Sequence, residues 1–536
     1  MALAVNLSRL SPRLSAFLLR LCHRRPLAPP ASRSSPPLLF SSGHIYSPTS
    51  YFLQVSPFSS LSSAASDFET DSDEPSDPVD ESDFVGFLQL LTQAKSLSSS
   101  RKEARAFLAG ASGVVPTKGL LCKALWELRD DCESALLAFR WAEECVGDCR
   151  WAWHLVIWIM GRQRRFDLAW YLVRKMHRQS VLTQRAMVIM MERYIAADEA
   201  KKAIRVFHIM EKFKVKADYA AFSALLHALC KNKYVEEAEE LLLVNRKYFP
   251  LTGESFNIVL GGWCKVMCDL LQAKRAWREM SNYCVTPNGT SYSHMIWCFS
   301  KVGNLYDSLR LYDEMKKKGW TPDLTVYNSL IYVLTRESCL RDANNIFDKI
   351  IQAGLHPNVE TYNSMILPLC ETCKLEEAQM VIEDMKVKGI SPTIDTYHAF
   401  AKAEDTEGSM KLLTKMKDAG CGPNSLTFFL LLDKFFRLGD SESALKVWTE
   451  MKRYNAIPDA THYLTIIEGL VKHGWIPKAL EFYNEMKFKG FPADPKLEKF
   501  FMSFISTHKN HWGNRGKEFI FPLRGGHFTS TGKGTL

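Results

Sequence analysis

Residues 325–358 read TVYNSLIYVLTRESCLRDANNIFDKIIQAGLHPN, and this stretch decides the fold. Tyr327, Leu330, Ile331 and Leu334 fall at i, i+3, i+4 and i+7, one apolar stripe of a helix. Ala343, Ile346, Phe347 and Ile350 repeat the spacing. The residues between the stripes, near Glu337 to Leu340, leave room only for a tight antiparallel turn. Gly354 followed by Pro357 ends the second stripe. The expectation is a hairpin of two amphipathic helices.

The hairpin recurs in register on both sides. Aromatic anchors stand at Tyr292, Tyr327, Tyr362, Tyr397, Phe428 and Tyr463, spaced 35, 35, 35, 31 and 35. Prolines at 322, 357, 392, 423 and 458 are spaced 35, 35, 31 and 35. Two unrelated residue types shorten at the same unit, which marks a true repeat. That unit lacks four residues between Tyr397 and Ser409, about one helical turn, so its first helix is expected to be short or distorted. Weaker copies around Phe256, Phe222, Met187 and Trp153 extend the array upstream. Ten units result: 150–183, 184–218, 219–252, 253–288, 289–323, 324–358, 359–393, 394–424, 425–459 and 460–494. One hairpin leaves apolar surface on both sides, so neighbours must stack. The expected fold is all-α, a right-handed superhelical solenoid of antiparallel helical hairpins. Residues 84–149 are expected to form an N-terminal helical cap, and 495–536 a C-terminal helix and basic tail.

A chain of 536 residues with 46% apolar content is too long for one ordinary core, and an array removes that limit. No uninterrupted apolar run reaches the length of about 18 residues that a membrane-spanning helix needs. Fourteen cysteines without a tight framework fit reduced thiols. The net charge of +9 is unevenly spread: residues 1–66 hold six arginines and no acid, 67–83 hold nine acids and no base, and the remainder carries +12. Residues 1–66, Arg- and Ser-rich with arginines interrupting the leucines, read as an organellar transit peptide, mitochondrial in the first instance with plastid as the alternative. Residues 67–83 read as an acidic, solvated, disordered linker. A basic body fits a polyanionic partner.

The segments 325–358 and 360–393 resemble pentatricopeptide repeats, with Tyr-Asn near the start and Gly-x-x-Pro at the close. The Trp, Leu-Gly and Tyr signature of the peptide-binding tetratricopeptide repeats is missing. The resemblance covers residues 150–494. It implies binding of single-stranded organellar RNA, one base per repeat, without a cofactor. Other RNA-processing or ribosomal proteins are further candidate partners, and no membrane or DNA is expected. It also implies that the residue after the anchor and the last residue of the unit contact the base edge. Those pairs are Asn257 with Asn288, Ser293 with Asp323, Asn328 with Asn358, and Asn363 with Thr393. Ser223, and His398 with Asn424 in the shortened unit, are further candidates. By the family's correspondences the four pairs imply pyrimidine, guanine, pyrimidine, pyrimidine. Amides and hydroxyls suit a Watson–Crick edge. The terminal residues are equally good helix caps, and that reading stays open beside the first. Phe429, Leu464, Val188 and His154 depart from the pattern and receive no letter.

Some members of that family end in a zinc deaminase or a nuclease. Residues 495–536 carry no H-x-E and no C-x-x-C. Cys370 and Cys373 form a C-x-x-C at a helix end with no second ligand pair at matching spacing. The GKGT at Gly532 lacks the first glycine and the strand of a phosphate loop. The expectation is therefore no enzyme, no metal site and action by occupancy. A protein-interaction scaffold, such as a component of an organellar ribosome, is the alternative.

Overall fold

The computed structural model describes residues 79–97, 103–104, 107–108, 116–147, 149–492, 497–499 and 501–502. Of the two compact units into which the chain divides, 1–54 and 55–536, only the second contains described residues. The segment 1–66 and most of 67–83 and 495–536 lie outside them. The acidic stretch ends inside a helix, Glu81–Leu97, which corrects its assignment as linker up to residue 83. Glu81 and Asp83 sit in the first turn, where the helix dipole favours acids.

Among the described residues every regular element is helical. Lys118–Glu127 and Cys132–Val146 precede the array. Ten hairpins follow, numbered repeats 1 to 10. Their first helices are Arg150–Arg162, Gln184–Ala196, Tyr219–Lys231, Gly253–Gly261, Gly289–Lys301, Leu324–Arg336, Val359–Glu371, Ile394–Ala403, Ser425–Arg437 and Ala460–Lys472. Their second helices are Phe166–Arg178, Ala200–Ile209, Val235–Val244, Leu270–Asn282, Leu305–Lys317, Leu340–Gln352, Leu375–Val387, Thr406–Asp418, Ser441–Arg453 and Ile476–Phe488. No described helix is long and apolar enough to cross a membrane.

The anchor is the fourth residue of every first helix, from Trp153 to Tyr463, and all ten are buried. In several repeats it packs on an aromatic fifteen residues earlier, on the preceding second helix. Phe207 meets Phe222 at 5.7 Å between centroids, Trp277 meets Tyr292 at 5.1 Å, Phe347 meets Tyr362 at 5.4 Å and Trp448 meets Tyr463 at 5.0 Å. Such pairs add about 0.5–1.5 kcal/mol to burial, and each is a seam between repeats. Some anchors also tie their own hairpin. The hydroxyls of Tyr292, Tyr362 and Tyr463 donate to Glu314 (2.7 Å), Asp384 (3.2 Å) and Glu485 (2.9 Å) on the second helix. Gly354, at φ 72°, closes its hairpin in the left-handed region while Leu355 N–H reaches back to Ile350 O at 3.0 Å.

Each first helix packs against the next first helix, whereas second helices meet chiefly their own partner and the following first helix. The first helices therefore form the compact row of the stack, and their N-terminal ends line up along it.

Candidate nucleic-acid interface

Nine first helices begin behind a polar cap: Thr183, Asp218, Thr252, Asn288, Asp323, Asn358, Thr393, Asn424 and Asp459. Each is also the last residue of the preceding unit. In all but Thr393 the side chain accepts a backbone N–H of the first turn, an interaction worth about 1 kcal/mol. The capping role therefore belongs to the terminal residues. It does not separate them from the residue after the anchor in two of the four predicted pairs, Asn257 with Asn288 and Ser293 with Asp323, whose side chains meet across consecutive repeats.

Asn257 Nδ2 donates to Asn288 Oδ1 at 2.9 Å, and Asn257 Oδ1 accepts the Ser291 hydroxyl at 2.6 Å. The Ser293 hydroxyl lies 3.4 Å from both carboxylate oxygens of Asp323 and donates to Gly289 O at 3.1 Å. Asn363 Oδ1 accepts from Thr396 at 2.8 Å, and Thr396 Oγ1 lies 3.3 Å from the Thr393 hydroxyl. Asn363 thus reaches its predicted partner through an intermediary. His398 Nε2 lies 2.9 Å from Thr427 Oγ1, which is bonded to Asn424 Oδ1 at 2.9 Å. Burial lowers the His398 pKa to about 4, so its imidazole is neutral near pH 7. His154 instead reaches the cap itself, with Nε2 2.6 Å from Thr183 Oγ1. Ser223 is half-buried behind Phe222.

Asn328 differs from these. Only 4% exposed, it has neither amide atom bonded. Its predicted partner Asn358 is occupied by the Thr361 N–H and hydroxyl at 3.0 and 3.1 Å. Asn257, Ser293, Asn328 and Asn363 are buried; of their partners Asp323 and Asn358 are exposed, while Asn288 and Thr393 are half-buried.

Residues missed from sequence are the third helical residues Ser255, Ser291, Thr361, Thr396 and Thr427, each of which closes a capping box with the cap before it. Their signal was available as a hydroxyl recurring one residue before the anchor. Lys318, within the basic run 316–318, is engaged with Glu314 at 3.1 Å and lies over the Tyr292 ring. Cys370 is buried, its thiol pushed up to about 12 by desolvation, while Cys373 sits exposed in the turn at φ 57°. Among the described residues no group of three or more His, Cys, Asp or Glu is placed to hold a metal.

Comparison with known proteins places these repeats. The PPR repeat family matches residues 287–336, 322–371 and 357–402; the PPR repeat matches 220–243 and 461–491; the pentatricopeptide repeat domain matches 411–473. A mitochondrial pentatricopeptide repeat-containing protein of Arabidopsis thaliana is 51% identical over 186 residues, 35% of this chain and 34% of that protein. A second from the same plant, also mitochondrial, is 38% identical over 221 residues, 40% of this chain and 38% of that protein. The chain thus spans little more than a third of the length of these relatives. The crystal structure of the maize pentatricopeptide repeat protein PPR10 aligns over 80% of this chain and 79% of its own, at 17% identity and a TM-score of 0.32. Repeat matches on both sides of the shortened unit, together with relatives that carry the same repeat, make this chain a pentatricopeptide repeat protein.

Proposed function

We propose that the chain binds one short stretch of single-stranded RNA in the mitochondrion and acts there by occupancy, in transcript processing, stability, splicing or translation. The mitochondrial assignment is supported by the two relatives named above and by the Arg-rich N-terminal segment. The observation that carries the RNA reading is Asn328. A buried amide with no hydrogen bond costs about 1–3 kcal/mol, and a base edge offering one acceptor and one donor satisfies both its atoms. Asn257 with Asn288, Ser293 with Asp323, and Asn363 with Thr393 then read the flanking bases, giving pyrimidine, guanine, pyrimidine, pyrimidine in chain order.

Selection from a random RNA pool, with crosslinked RNA from isolated organelles sequenced alongside, tests this. Enrichment of that core is expected. The paired change Asn328→Ser with Asn358→Asp is expected to move one position toward guanine. Selection without enrichment, together with a paired change that shifts nothing, rejects the base-reading assignment.

A further inference from the structure

Charge along the array is as uneven as the letters, in the opposite sense. Repeats 1 and 2, residues 150–218, hold fifteen lysines and arginines against six acids, a surplus equal to the +9 of the whole chain. Repeats 7 and 8, residues 359–424, hold seven against eleven. The basic repeats are those with His154 and Val188 after the anchor, where no base is assigned.

Part of this charge is gathered where the second helices end and lead into the caps, Arg178 standing five residues before Thr183 and Lys214 four before Asp218. The second helix of repeat 1, Phe166–Arg178, meets the end of the second hairpin through one ring. Phe213 lies 5.7 Å from Trp170 and 5.3 Å, edge to face, from His177. Phe213 closes the 3₁₀ turn Met210–Phe213, so Lys212 and Lys214 flank the ring. On the facing helix Arg174 and Arg178 are one turn apart and border His177. All four are exposed, and none forms an ion pair among the described residues, although Glu211 stands next to Lys212. Elsewhere in the same repeats cations are used structurally: Arg162 pairs with Asp130, Lys175 with Glu143 and Arg185 with Glu192. Four unpaired cations around a packed aromatic seam form an anion surface that folding does not use. Lys214 holds a left-handed backbone, φ 59°, which is uncommon for a lysine.

We infer that Arg174, Arg178, Lys212 and Lys214 form a sequence-independent phosphate-binding site that holds the RNA backbone flanking the segment read by the repeats. The inference rests on the RNA-binding reading proposed above. RNA is favoured over a membrane surface because the large apolar neighbours Trp170 and Phe213 are packed into the seam rather than presented for insertion.

The test uses the full chain and two RNAs, a short one limited to the read segment and a long single strand with mixed-sequence flanks. Binding is followed as salt is raised. The variant carries Arg174→Gln, Arg178→Gln, Lys212→Gln and Lys214→Asn, asparagine being chosen because it tolerates the left-handed backbone. About 0.7 of the log–log salt slope is lost per phosphate contact on single strands, so the variant's slope on the long RNA is expected to fall by about 3. Its affinity at low salt falls at least tenfold, with base preference and short-RNA binding unchanged. Should the fourfold variant not fold, Arg174→Gln with Arg178→Gln alone is expected to remove about half of that slope. Equal slopes for variant and wild type on the long RNA overturn the site. So does a variant that binds RNA normally but no longer binds vesicles of anionic phospholipid that the wild type captures. Failure of the base reading is a separate result: the Asn328→Ser, Asn358→Asp pair then leaves preference unmoved while the fourfold variant still flattens the salt dependence. Wild type that binds neither RNA rejects both.

Discussion

Repeats 5 to 7 and repeat 8 are built on the same pattern, yet the first three have first helices of 13 residues and the fourth has one of 10. The deletion does not disturb the N-terminal end. Tyr397 is still the fourth helical residue, and His398 still reaches the first helix of the next repeat. The loss is taken at the other end, where Glu404 leaves the helix at ψ 153° and Asp405 already caps the second helix. One end of the compact row is held constant and the other absorbs change, which is expected if the constant end carries the contacts with a partner.

The gap left by the missing turn is filled by Lys434 of repeat 9. Its ammonium donates to Ala401 O at 2.6 Å, Glu404 O at 2.7 Å and the Ser409 hydroxyl at 2.8 Å, capping the helix that ends too early. Lys434→Met carries the largest expected effect on folding. It leaves two carbonyls and a hydroxyl without their donor and costs about 3 kcal/mol. Denaturant unfolding of the full chain measures the loss, and limited proteolysis should cut first between repeats 8 and 9. An unchanged midpoint would mean that the deletion needs no such plug.

A second contrast concerns how closely first helices approach. A Cβ on Gly469 would lie 2.3 Å from Phe436 Cγ, and one on Gly161 would lie 2.5 Å from Arg193 Cγ. In both cases the glycine faces a large side chain across the seam, Gly469 from the tenth helical position and Gly161 from the twelfth. At the same two positions repeats 5 to 7 place residues of middle size, Ser300 with Val333 and Thr335 with Pro368, all buried. Gly469→Ala should cost about 2 kcal/mol through overpacking against a ring that cannot leave. Gly161→Ala should cost less, because the arginine stem can swing. The comparison fails if the two unfolding midpoints shift equally.

A smaller effect follows from burial of Lys434, which lowers its pKa to about 8 against the opposing pull of Glu404 and Asp405. The unfolded lysine titrates near 10.4, so between about 8 and 10.4 the unfolded chain binds more protons and stability rises with pH. Below 8 both states are protonated and this slope disappears. Lys301, also lowered to about 8 by burial, has the same sign. Lys434→Met should flatten the rise without abolishing it, as read from unfolding midpoints across that range.

What was legible in sequence follows from range. Tyr327 and Leu330 lie within one helix, and Pro357 recurs every repeat, so local periodicity specified hairpins, their stacking and the short unit. Asn288 and Asp323 were located through the family resemblance, as the last residues of their repeats, and the capping reading left open beside it is local as well. Lys434 could not: it serves atoms 25 to 33 residues upstream, and nothing local separates it from a solvated lysine. Phe436 against Gly469 and the Phe213 seam are likewise contacts between repeats, invisible to any single repeat. The π-helical turn Gly262–Val266 in repeat 4 belongs with them. Trp263 there donates to the buried Glu239 at 2.9 Å, which is also paired with Arg275 at 2.6 Å, so the changed winding coincides with a three-residue network across two repeats.

Asn328 gives the smallest stability change and the sharpest separation of the two kinds of residue. Asn257 and Asn363 are hydrogen-bonded inside the row, so replacing either by alanine strands a partner and should cost about 1 kcal/mol or more. Asn328 satisfies nobody. Asn328→Ala removes two unmet polar atoms and leaves only a small space, two effects of opposite sign, so the unfolding midpoint should move by less than about 0.5 kcal/mol or rise. Discrimination at the corresponding base should nevertheless fall about tenfold, the equivalent of one lost base-edge hydrogen bond of about 1.4 kcal/mol. The measurement is paired: unfolding of the free chain and competition between RNAs differing at that one position. A clear loss of stability with unaltered discrimination would show that Asn328 is a core residue whose polarity is incidental, and would remove the observation on which the base-reading assignment chiefly stands.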